Sequence, residues 1–359
     1  MRVNGAGMLD IVGKRYWYYL ISALVVVPGL ISLILFGLNF SIDFTGGSIL
    51  EIQFESSSAV EPAQLKELFA EFGFGDTLVQ SSQGGVFLIR SKTLDSATKV
   101  AIEDEIEQRW GSFTELRFES VGPSVGGEVQ RRAYLVVAMA AAAILIYISF
   151  AFRHVTNPVR YGACAIIAMV HDILVVVGLA SIFGVLHGWE VDSLFLTALL
   201  TVIGFSVHDT IVVFDRIREN SRRYAGRPIE DVVNHSIIQT LDRSINTQLT
   251  VIFTLTALLL FGGITIRNFV FTLLIGIISG TYSSIFNASP LLVEWERRPD
   301  RLIYVLSFLL PPVGLAVGLF LLLRGDRRSK SWARGSLVAA WAGVMCLGGL
   351  LLLRGVLPG

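Results

Sequence analysis

Six apolar stretches constrain this chain more than any other feature, near residues 16–38, 133–152, 161–186, 193–215, 245–266 and 268–293. Each is long enough for a helix to cross about 30 Å of hydrocarbon, which takes roughly 20 residues. Backbone groups inside a bilayer must satisfy one another, so runs of this length fold as spanning helices. Composition agrees, with 53% hydrophobic and 16% charged residues, against about one-quarter charged in an average soluble domain. The expected fold class is a polytopic α-helical membrane protein. Its first run follows Lys14 and Arg15 as a leader would, but no Ala-x-Ala site follows it, so it reads as an uncleaved anchor.

Charge placement sets the expected orientation. Arg2, Lys14, Arg15, Arg153, Arg160, the six arginines from Arg216 to Arg243, and Arg297, Arg298 and Arg301 share one side of the six-helix layout. The positive-inside rule makes that side, and the N-terminus, cytoplasmic, with Arg131 and Arg132 as minor dissenters. Residues 39–131 then lie outside the cytoplasm, and their pattern alternates between periods of 2 and 3.6. Ser48–Phe54 reads as a strand, and a helix opening at Pro62 places Leu65, Leu68, Phe69 and Phe72 on one face. Strands at Thr77–Ser81 and Val86–Ser91 flank a Gly84-Gly85 turn. A second helix from about Asp95 aligns Ile102, Ile106 and Trp110, and Thr114–Val121 closes the set. The order β-α-β-β-α-β predicts a small ferredoxin-like α+β domain.

After the sixth span, apolar runs at 302–323 and 335–355 are joined by the basic stretch Arg324 to Arg334. Pro311-Pro312 leaves a single crossing and a re-entrant hairpin both open. The expected divisions are therefore 1–38 (N-terminus and first helix), 39–131 (periplasmic domain), 132–295 (five-helix remainder) and 296–359 (extra C-terminal hydrophobic hairpin).

Ionisable groups inside a membrane are the natural candidates for chemistry, since each costs about 2.5 to 3.5 kcal/mol on insertion scales. Asp172 falls within the third span and Asp209 within the fourth, each after a histidine, His171 and His208. One reading makes the carboxylates, Asp209 above all, carriers of a coupled ion. The other makes them hydrogen-bonding ties between helices, and both histidines packed residues. Arg243 opens the fifth span and could snorkel to the surface. Gly276 and Gly280, extended by Ser283 and Ser284, form a small-residue packing stripe on the sixth. Cys164 and Cys346 sit in separate apolar runs, and no P-loop, nucleophile–base pair or Cys/His cluster occurs. Enzymatic chemistry, a metal, a cofactor and a nucleic-acid partner are not expected.

Several motifs together resemble the SecD/SecF family: Asp43-Phe44-Thr45-Gly46-Gly47 after the first span, Val121-Gly122-Pro123 before the second, and His208-Asp209-Thr210-Ile211-Val212-Val213-Phe214-Asp215-Arg216-Ile217-Arg218-Glu219-Asn220. Arg243-Ser244-Ile245-Asn246-Thr247 and Ser279-Gly280-Thr281-Tyr282-Ser283-Ser284-Ile285-Phe286 add to it, so the likeness covers about residues 10–295. It implies the RND superfamily and a half-bundle that pairs with SecD into a twelve-helix unit. It also implies work beside the SecYEG channel of the bacterial inner membrane, in the company of YajC and YidC, using the proton motive force to promote export of secreted polypeptides. Carried over by motif, Asp209 is the coupling carboxylate, Arg243 its basic partner, and Gly46, Gly47, Gly122 and Pro123 the junctions between helices and domain. His208 stands where the family has Asn, which leaves H⁺ and Na⁺ both open, and the run from about 300 to 359 has no family counterpart. An RND-type exporter of lipids or small molecules and a scaffold without ion coupling are the alternatives.

Overall fold

The computed structural model describes residues 9–54, 60–82, 85–153, 158–263, 266–297, 319 and 332–345. The C-terminal hairpin expected over 296–359 lies largely outside that set, as does Gly84 of the expected turn. A 3-10 turn (Val12–Lys14) leads into α1 (Arg15–Leu35). Then come α2 (Ile42–Thr45), β1 (Gly47–Phe54), α3 (Pro62–Glu71), β2 (Leu78–Ser82), β3 (Val86–Ser91), α4 (Ser96–Trp110) and β4 (Phe113–Val121). The long helices α5 (Pro123–Ala151), α6 (Pro158–His187), α7 (Ser193–Arg223) and α8 (Ile229–Phe261) follow. Last, α9 (Arg267–Tyr282) runs through a π-helical stretch (Ser283–Ala288) into α10 (Ser289–Arg297). Six helical segments among the described residues are long and apolar enough to cross a membrane, the sixth being the whole of Arg267–Arg297. The chain divides into two units, one comprising Phe40–Met139 with Glu190–Leu196, the other made of the remaining helices.

The smaller unit is the ferredoxin-like domain. Its antiparallel sheet has the order β2-β3-β1-β4, with Leu50 opposite Ile89 on one side and Phe118 on the other. Period-2 alternation sends Leu50, Ile52 and Phe54 of β1 to one face, where with Phe87 and Ile89 they join Leu65, Leu68 and Phe69 of α3 and Ile102 and Ile106 of α4 in one buried core. Burying each such side chain contributes about 1.5 to 3 kcal/mol. Pro62 and a Glu61–Gln64 capping box start α3, and the Asp95 carboxylate caps α4 by accepting from Thr98 N at 3.0 Å.

Gly46 and Gly47 both have positive φ, +74° and +130°. A Cβ on Gly46 would lie 2.6 Å from Cα of Pro123, the first residue of α5, and one on Gly47 would lie 2.9 Å from the Ser91 carbonyl. Only glycine meets both demands, left-handed backbone and absent side chain.

In the helical unit, small residues and polar contacts join the helices, as expected where lipid removes the hydrophobic drive. A Cβ on Gly29 of α1 would sit 2.8 Å from Gly178 Cα of α6, and one turn on Ser32 and Ser181 share a hydrogen bond of 2.9 Å. Gly276 of α9 admits Val202 of α7, whose Cγ2 would lie 2.1 Å from an added Cβ. Arg15 binds Glu294 of α10 at 3.0 Å, with both side chains largely buried. Helix α8 begins well before the span expected at 245. Its first turns bury Val232, Val233, Ser236 and Ile237, so polar residues that read as a loop by hydropathy face protein instead.

Candidate ion-coupling site

Asp172 is 1% exposed and meets four partners. Its Oδ2 accepts from Ser206 Oγ of α7 at 2.5 Å and from Ser283 Oγ of the π-helical stretch at 2.7 Å. Its Oδ1 accepts from Ser279 Oγ of α9 at 2.7 Å and lies 3.0 Å from His171 Nδ1. An ionised carboxylate offers about four lone-pair sites, so this group is saturated by donors from three helices. The His171 ring packs near Tyr282, with centroids 6.4 Å apart.

Asp209 has a different setting. It is 5% exposed, and its one hydrogen-bonded partner among the described residues is Gln248 of α8, whose Nε2 donates to Oδ2 at 2.5 Å. The other end of that amide, Gln248 Oε1, is buried without a partner. His208 is exposed on the neighbouring face of α7, and Arg243, also exposed, does not pair with Asp209. Arg243 instead lines a cavity of about 350 Å³ between α7 and α8, with Val212, Asp215, Arg216, Glu219, Gln239 and Thr240. At Thr210, the residue after Asp209, the chain is tied again: Thr210 Oγ1 and Ser284 Oγ lie 2.9 Å apart.

The N-terminal end of α7 is held within the smaller unit. Ser41 N donates to Val191 O at 2.9 Å, Asp43 Oδ2 accepts from Ser193 N at 2.9 Å, and Arg90 of β3 pairs with Glu190. Asp192 caps the helix, its Oδ1 accepting from Phe195 N at 2.7 Å. Burial, with Asp43 close by, pushes the Asp192 carboxyl above the ordinary range. Asp43, Gly46, Gly47, Gly122 and Pro123 thus meet in one junction, with the Gly122 carbonyl carbon 3.3 Å from a Cβ built on Gly46.

Sequence reasoning missed Gln248, Ser206 and Ser279 as partners of the two carboxylates. For Ser279 a signal was available, since it shares a face with Ser283 at i, i+4 in a largely apolar run.

Comparison with known proteins places these features in a family. The description "Protein export membrane protein SecD/SecF, C-terminal" matches residues 101–298, and "SecD/SecF GG Motif" matches residues 31–58. The protein translocase subunit SecF of Anaerolinea thermophila is 54% identical over 291 residues, covering 80% of this chain and 94% of that one. The SecF of Thermobaculum terrenum is 54% identical over 303 residues, covering 81% and 95%. Among solved structures, SecDF from Thermus thermophilus, titled a translocon-associated membrane protein, superposes with a TM-score of 0.70 at 32% identity, covering 82% of this chain. This chain spans 39% of that SecDF chain. By sequence over most of its length and by fold, the chain belongs to the SecD/SecF family of protein export membrane proteins.

Proposed function

We propose that the chain serves as the SecF-type accessory subunit of a Sec protein translocase, paired with a SecD chain in the bacterial inner membrane. It is a transport subunit rather than an enzyme. Its N-terminus is cytoplasmic, its ferredoxin-like domain is periplasmic, and it promotes export of secreted polypeptides through SecYEG, with YajC and YidC as neighbours. The proton motive force drives it. Identity of 54% to SecF proteins over most of the chain supports the family role.

The observation that carries the coupling role is the single hydrogen bond to Asp209, a buried carboxylate well inside a spanning helix. A buried carboxylate with one donor keeps lone pairs open to an incoming proton, whereas one with four partners has them all occupied. Uptake of a proton by Asp209 removes its charge and weakens its tie to α8. Helix α7 runs unbroken from Ser193 to Asp209, a rise of about 24 Å over seventeen residues. A shift of α7 at Asp209 is therefore felt at Ser193, where Asp43 grips the helix start. Arg243, in the cavity beside α7, is the cation that an ionised Asp209 attracts when the helices move.

The test is export of a secreted reporter in cells depleted of the native protein and complemented with wild type or Asp209→Asn, with and without a protonophore. Wild type is expected to restore protonophore-sensitive export and the variant to fail at equal abundance. Equal rescue by both would sink the coupling role.

A further inference from the structure

Gln248 is 3% exposed, deep in α8, and its amide is used at one end only: Nε2 donates to Asp209 at 2.5 Å while Oε1 is buried with no partner. A buried carbonyl left unmet loses its hydration without recompense, so an amide tolerated in this state calls for a second use. An ionised carboxylate presents lone pairs alone, which the amide N–H meets; a protonated one presents an O–H, which only the amide oxygen can accept. A half-turn about Cγ–Cδ exchanges the two ends without moving the backbone, and the roughly two-fold profile of that torsion allows it.

We infer that Gln248 is the positioning residue of Asp209, its amide turning end for end as the carboxyl gains and loses its proton. The inference rests on the reading of Asp209 as the coupling carboxylate, and it gives that carboxyl a hydrogen-bonded partner in both states. Other titratable groups on the surrounding elements include His208, Asp215 and Arg216 on α7, His171 and Asp172 on α6, Asp242 and Arg243 on α8, Tyr282 on α9 and Glu294 on α10. Among the described residues none of these hydrogen-bonds Asp209, and Glu294 is held by Arg15.

The experiment uses the complex of this chain with its SecD partner and channel in proteoliposomes. Gradient-driven export is followed against pH for wild type, Gln248→Leu and Gln248→Met, with Asp209→Asn as control; Met fills the same space without an amide and guards against a packing loss. Both variants lose a partner in each protonation state, but the bond to the charged form is the stronger, so the profile midpoint moves to higher pH by on the order of half a unit. In infrared difference spectra the carboxylic acid carbonyl band, assigned by its absence in Asp209→Asn, moves to higher frequency in both variants because the acid has lost its acceptor. An unchanged midpoint and band in both variants, beside an inactive Asp209→Asn, overturns the role of Gln248. A fully active Asp209→Asn overturns instead the coupling reading, so the two failures are separable.

Discussion

Two carboxylates sit in the same helical unit under opposite regimes. Asp172 is gripped by three serine hydroxyls and a histidine drawn from α6, α7, α9 and the π-helical stretch, while Asp209 is touched by a single amide. Both are buried, so burial alone does not tell a tie from a carrier. The number of partners does: four hold three helices to one carboxyl, and one leaves lone pairs open.

The sharpest way to break this comparison is to remove each carboxylate in turn. Asp172→Ala leaves the buried Ser206 and Ser279 hydroxyls without their acceptor, while Ser283 keeps Gly280 O, and should lower stability by about 1–3 kcal/mol for each stranded hydroxyl, seen as a large drop in thermal midpoint of the purified complex. Asp209→Asn should leave the midpoint near wild type while export fails. Comparable destabilisation by both would erase the distinction. Next in size is the close approach that brings α9 to α7 beside the Asp172 node. Gly276→Ala forces a methyl into Val202 and should cost about 1–3 kcal/mol, and adding Val202→Ala should recover most of it. Without that recovery, the strain lies elsewhere than in this contact.

The smallest effect is expected at the far end of α7, where Asp192 gives a third carboxylate environment. Its raised value means the folded chain binds a proton more readily there than the unfolded chain. The resulting stability is present below the ordinary carboxylate range and is lost as pH rises through the raised value. Asp192→Asn keeps an N-cap and removes the charge, so it should raise the thermal midpoint slightly at neutral pH and flatten its slope above the ordinary carboxylate range. A variant whose midpoint tracks wild type at every pH would show that the carboxyl has no such bias.

The sheet domain was legible because water contrasts with its core: Leu50, Ile52 and Phe54 alternate with polar neighbours, and Leu65, Leu68 and Phe69 return every third or fourth residue. Inside the membrane that contrast disappears. Gly29 and Gly178, whose helices touch, are separated by 149 positions, as are Ser32 and Ser181. The serine donors of Asp172 lie 34, 107 and 111 residues from it, so no local pattern pairs them with it. The start of α8 was missed for the related reason that Ser236 and Asn234, polar in sequence, are turned toward protein partners. Asp209 itself was readable, as a charge in an apolar run, but its partner Gln248 is uncharged and gave no such signal.

The π-helical stretch carries a consequence for how this helix can be edited. Ser283 and Ser284 are both 0% exposed although neighbours on a regular helix point about 100° apart. The wider turn frees carbonyls that serines recapture: Gly280 O accepts from Ser284 Oγ at 2.8 Å, and Ser284 O from Ser289 Oγ at 3.1 Å. A π turn holds about one residue more than an α turn, so the stretch behaves as a single-residue insertion absorbed in place. Near the end of the stretch Asn287 Nδ2 donates to Ser22 Oγ of α1 at 2.7 Å, and deleting Ser283 would let the helix close into uniform α spacing with that contact and the Arg15–Glu294 pair still in phase. What the shortened helix could not do is serve Asp172 and Thr210 at once, because one serine would remain where two adjacent ones now point to different neighbours.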